Sequence, residues 1–125
     1  MPNALAPFVH WLSERRDFLR NLEKEAVRVL QEDKNPDKYR SLMCQKAQFL
    51  EALPEEAEKH MAGIPEATAG MIEKRLGRFS HNASQALELD SVFYMYALLY
   101  PDDHKEGEPN DLDRFVAELA EKANA

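Results

Sequence analysis

The sequence has one cysteine, Cys44, among 125 residues. No disulfide can close within the chain and no multi-cysteine zinc knuckle can form, so a reducing cytosol is the expected compartment. Glycine is scarce at four residues, too few for the many tight turns of an all-β fold and suited to helices. Long apolar runs are lacking. The longest uncharged apolar stretch, Val92 to Tyr100, is about half of what a membrane helix needs. The segment MPNALAPFVHWLSERR has no basic stretch followed by an apolar core, so no secretory leader is expected. Cationic charge is short too: 16 Lys and Arg stand against 23 Asp and Glu, for a net −7. General binding to nucleic acid or to an anionic membrane needs a net cationic face, so neither is expected. What remains is 44% hydrophobic and 31% charged, the mix of one globular domain over residues 1–125.

The hydrophobic residues follow helical spacing. From about Ala6 to Glu32, Phe8, Leu12, Leu19, Leu22, Ala26 and Val29 form one stripe, flanked by Trp11, Phe18 and Leu30. Arg15 fills its one gap. Asn35-Pro36 then restarts a helix, with Asn35 as the cap, Pro36 at the first helical position and Asp37 at the positive end. Tyr39, Leu42, Met43, Phe49, Leu50 and Leu53 share a face of this second helix. Pro54 is expected to kink or restart it, helix to continue to Met61, and Gly63 to close it. In the third segment Ile72, Leu76, Phe79, Ala83, Ala86, Asp90, Phe93, Ala97 and Tyr100 keep 4-3-4-3 spacing. That continuity predicts one helix from about Pro65 to Tyr100, with a bend near residues 77–82. Asn110, followed by Asp111 and Asp113, caps a short last helix carrying Leu112, Phe115, Val116 and Leu119. The expectation is an all-α antiparallel bundle of three long helices plus a short C-terminal one.

Several residues invite chemistry. Asp102, Asp103, Glu106, Glu108, Asp111 and Asp113 against Lys105 give −5, which leaves −2 for the rest of the chain. Counting from Asp102 as the first residue, Glu106, Gly107, Asn110 and Asp113 fall where an EF-hand loop has ligands and its glycine, so the stretch resembles that calcium loop. Three departures count against it: His104 third, Pro109 eighth, and Asp rather than Glu at the end. Carboxylate-bridged metals in bundles need Glu three residues before His. Pro7, Ala57, Arg78 and Pro101 stand there instead, so no metal or other cofactor is expected. RLGRFSH, with Arg75 and His81, resembles the Arg-x4–6-His signature of HEPN-domain ribonucleases, though Leu76 replaces a usually polar residue. That resemblance implies a dimeric cleft in which His moves a proton and Arg stabilises phosphate.

Arg16, Arg20, Lys24 and Arg28 make a ridge, read as a solvated face neutralised by Glu14, Glu23, Glu25 and Glu32. Arg15 and Asp90 are lone charges in apolar stripes. A lone buried charge needs a partner or an opening to water, so the two are expected to meet or to line a cleft. The run VFYMYALLY is apolar all round and should be covered on every side. A homodimer contact through Phe93, Tyr94, Tyr96 and Tyr100 would complete that cover. The hairpin DKYRSLMCQKAQFLEAL is loosely similar to helical flagellar export chaperones. Together these features favour a non-catalytic, bacterial-type cytosolic interaction protein, such as an adaptor, small chaperone or regulatory partner of another protein. The alternative is the HEPN-like ribonuclease or toxin–antitoxin component carried by Arg75 and His81.

Overall fold

A computed structural model describes residues 3–124. It is an all-α bundle of five helices, with no strand among the described residues: α1 (Leu5–Gln31), α2 (Pro36–Glu58), α3 (Glu66–Glu88), α4 (Val92–Ala97) and α5 (Asp111–Ala123). Among those residues no helix is long and apolar enough to cross a membrane.

The sequence stripes become the core. Phe8, Leu12, Leu19, Leu22, Ala26 and Val29 of α1 are all buried. At the gap, the Arg15 guanidinium lies 6.0 Å from the centre of the Phe49 ring. Helix α2 starts as its punctuation requires: the Asn35 side chain accepts from the Lys38 N–H at 3.1 Å, and Pro36 opens the helix. Pro54 does not stop α2. The Ser80 hydroxyl of α3 donates to the neighbouring Glu51 carbonyl at 2.7 Å, which ties the two helices beside the turn that Pro54 weakens.

The helix ends before Gly63, which sits in the link to α3 at φ 84°. A Cβ there would stand 3.2 Å from the Ala4 Cβ, so both the backbone and the space call for glycine.

Cross-contacts fix the directions. Trp11 stacks on His60 and Phe18 on Phe49, so α1 and α2 run antiparallel. Ser80 reaching Glu51 and Arg40 reaching Asp90 do the same for α2 and α3. Helix α5 returns along α1, with Asp113 against Arg20 and Ala123 against Asn3. It faces α3 through Phe79 and Phe115, whose rings meet edge-on at 6.5 Å. One continuous core gathers buried side chains from all five helices.

The long third helix of the sequence reading is corrected. It breaks at Asp90–Ser91 and runs unbroken through 77–82. Asp90 takes the left-handed conformation, φ 51°. Its N–H donates to the Leu87 carbonyl at 3.0 Å, and Ser91 N–H donates to Ala86 at 3.2 Å. These two bonds close a helix around a left-handed residue. Ser91 then caps α4, its hydroxyl accepting from Tyr94 N–H at 3.2 Å.

Candidate functional site

The break turns α4 aside from the axis of α3. Of its six residues only Met95 is buried, with its sulfur 3.7 Å from the Cys44 thiol of α2. At about 100° per residue, Tyr96, Phe93 and Tyr94 span the opposite arc. Phe93 is 72% exposed, and Tyr94 and Tyr96 about half. Leu89, just before the break, is also exposed. The expected all-round cover of Val92 to Tyr100 is therefore corrected: Met95, Leu98 and Leu99 turn inward, and the aromatic side of α4 faces solvent.

Beside this arc lies a cleft of about 440 Å³ between α3 and the α4 segment. Leu50, Phe79, Ala86 and Leu98 contribute to its walls, and Leu89, Tyr94 and Arg78 to its lining. Arg78 is exposed and makes no ion pair among the described residues.

The far end of α4 is held by a polar centre that the sequence reading missed. Lys46 of α2 has no exposed side-chain surface. Its Nζ donates to the Tyr96 carbonyl at 2.8 Å and lies 3.4 Å from Glu23 Oε2 of α1. The Tyr100 hydroxyl donates to the same carboxylate oxygen at 2.5 Å, and Nζ stands 4.9 Å above the Tyr100 ring. Burial pushes the Lys46 ammonium below its usual range, and Glu23 pulls it back. Burial, and then the bond to Glu23, pushes the Tyr100 phenol up. With no surface on Nζ, the Lys46 ammonium joins α1, α2 and the end of α4 as a tie. Tyr100, expected at an outward interface, is half-buried and spent on Glu23.

The signal for Lys46 was present. Tyr39, Met43, Lys46, Leu50 and Leu53 keep 4-3-4-3 spacing, so Lys46 is a lone charge in a stripe, as Arg15 and Asp90 are. Glu23, read as a neutraliser of the α1 ridge, instead turns inward. The ridge is balanced by Glu25 and Glu32, as expected, and by Asp33 and Asp113: Arg20 pairs with Asp113 at 2.8 Å, and Arg28 with Glu25, Glu32 and Asp33.

The other candidates separate. Arg15 and Asp90 do not pair: Asp90 is exposed and bonded to Arg40, because the left-handed turn swings it out of the stripe. Arg15 keeps to Phe49, and its buried Nε has no hydrogen-bond partner among the described residues. Arg75 and His81 lie six residues apart on one continuous helix, about 120° apart around its axis. Arg75 pairs with Glu118 at 3.2 Å and stacks on Phe115 at 4.8 Å, while His81 faces solvent.

In the acidic loop, Asn110 and Asp113 are engaged in a reciprocal capping box, with bonds of 2.8 and 3.0 Å. Asp102 and Glu106 point into solvent. No group of three or more His, Cys, Asp or Glu among the described residues is placed to hold a metal ion. A second, open cleft of about 1020 Å³ lies between α1 and the loop, where Arg16, Arg20, Glu23 and Lys24 of α1 stand across from Glu106, Glu108 and Asp113. Comparison with protein-family models, curated proteins and solved structures finds no match to the chain.

Proposed function

We propose that this chain is a non-catalytic protein-interaction module, an adaptor, small chaperone or regulatory partner, that docks through the outward side of α4. The observation that carries this reading is the exposed arc of Phe93, Tyr94 and Tyr96, continued by Leu89. Single exposed apolar residues are ordinary, but a contiguous aromatic group beside an apolar cleft marks an interaction surface. Aromatic anchors carry a large share of binding energy at such surfaces. The reading is supported further by the engagement of Arg75 and Asp90 in ion pairs and of Asn110 and Asp113 in a capping box, and by the separation of Arg75 from His81 around α3.

The test is photo-crosslinking in the native cell. A photoreactive phenylalanine analogue replaces Phe93, and a control copy carries it at Glu73 on α3. A discrete adduct from position 93 alone is the expected result. Equal, diffuse labelling from both positions would sink the reading.

A further inference from the structure

The solvent side of α4 carries a projection next to a hole. Phe93 stands at the middle of the exposed arc. One residue on, Tyr94 forms part of the lip of the 440 Å³ cleft between α3 and α4. The cleft has ample room for a phenyl ring, since a cavity of about 150 Å³ holds benzene. A projection and a hole side by side on one surface are the geometry of an isologous contact. A twofold rotation brings each projection to the other copy's hole.

We propose that the partner at this surface is a second copy of the chain, paired about a twofold axis beside α4, with Phe93 of each copy entering the α3–α4 cleft of the other. The proposal rests on the interaction reading above and names its occupant. Two further observations point to a like partner. The first is charge. The chain carries −7, most of it in the acidic loop and the start of α5. Around the arc and cleft, Arg40 and Arg78 stand against Glu88, Asp90 and Asp111, close to balance, so two such surfaces can meet without strong repulsion.

The second is area. An aromatic side chain buries about 150–250 Å². Three of them, half to nearly three-quarters exposed, together with Leu89, offer roughly 500 Å² per copy. A pair would bury about 1,000 Å², the lower limit for a specific interface. A pair of this size sits at the low end of specific interfaces, so the proposed dimer is a weak one, reversible on dilution.

Sedimentation equilibrium across about 5 to 500 μM tests this, a range chosen to bracket a micromolar constant. The wild-type mass is expected to rise from 14.4 kDa toward twice that value. Phe93→Asp should stay at the monomer mass throughout. Gln85→Trp, which crowds the cleft from an exposed position, should weaken pairing by about tenfold or more. Glu56→Gln, near the far end of α2, should pair as the wild type does. Circular dichroism confirms that each variant is folded.

A wild type that remains at 14.4 kDa at every concentration overturns the proposal, as does a Phe93→Asp chain that pairs normally. The crosslink at position 93 separates the two levels. An adduct with a different protein, from a chain that is monomeric when purified, removes the second copy and keeps the interaction reading. A missing adduct from a monomeric chain removes both.

Discussion

Two apolar stretches of this molecule fare in opposite ways. The stripe of α1 lies on a helix with charges at nearly every turn and is itself interrupted by Arg15, yet all six of its spaced apolar residues are buried. The run from Val92 to Tyr100 has no charge at all, yet its aromatic side is open to solvent. The difference lies in length and punctuation. Helix α1 has 27 residues and lies along α2 and α5, so an apolar face three to four residues apart finds continuous cover. Helix α4 has six residues, set between a left-handed turn at Asp90 and another positive-φ residue, Leu99. So short a helix can press only one side chain fully against its neighbours. Hydrophobicity alone therefore does not decide burial here.

Substitution of the same residue type in both regions breaks the comparison most directly. Phe8→Ala should cost about 3–5 kcal/mol in urea denaturation, because it empties a closed site. Phe93→Ala, measured at a low concentration where the chain is monomeric, should stay within about 0.5 kcal/mol. Comparable losses at the two positions would mean that α4 is packed more deeply than its exposure says.

The tie at the end of α4 comes next. Lys46→Ala strands Glu23, a mostly buried carboxylate, and should cost about 3 kcal/mol. Lys46→Met with Glu23→Gln should cost less than the sum of the two single changes, because the charges are removed together. A strictly additive cycle would show that the two groups do not act on each other.

A smaller effect is expected at the break itself. Ser91→Ala removes the α4 cap and should cost about 1 kcal/mol. An unchanged stability would mean that the Asp90 turn alone sets where α4 begins.

The smallest effect is in alkali. Burial and Glu23 hold the Tyr100 proton on in the folded chain, so the unfolded chain loses its proton first, near pH 10. Stability contributed by this phenol is intact below about pH 10 and falls as pH rises beyond it. Tyr39, raised mainly by burial, acts in the same direction. The Lys46 ammonium, lowered, acts in the opposite sense: its contribution improves as pH rises toward its ordinary value. Tyr100→Phe should therefore flatten the fall in melting temperature above about pH 10 without abolishing it. Identical slopes in wild type and variant would contradict the assignment.

The fold was largely legible because its signals are local and redundant. Asn35-Pro36 and Asn110 with Asp113 cap helices where their side chains dictate. The stripes of α1, α3 and α5 are the buried faces. The break at residues 89–91 was hidden because the 4-3 spacing runs through it in phase. Its signal was the pair Asp90-Ser91, an acid that tolerates a left-handed turn followed by a good cap. Asp90 stood out in the stripe because the stripe ends there, and not because a buried charge awaited a partner.

The site was less legible, for a different reason. The tie joins Glu23, Lys46 and Tyr100 from three elements, and nothing in the spacing of one helix reveals what stands across from it. The exposed arc depends on how far α4 turns from α3, which a pattern of residues does not encode.

The buried ammonium of Lys46 grips the main chain of α4 through the Tyr96 carbonyl, and it also stands 5.9 Å from the centre of the Tyr96 ring. The carbonyl bond is therefore indifferent to the side chains that α4 turns outward at 93 and 94, while the Tyr96 ring, stacked on Tyr100, belongs partly to the tie. Positions 93 and 94 are free to vary under selection for a partner without being drawn into selection for folding. Recognition and foldability become separately evolvable traits, as they are in scaffolds chosen for building libraries of binders. A library randomised at these two positions should keep most of its members folded, with the choice of partner as the trait that diverges.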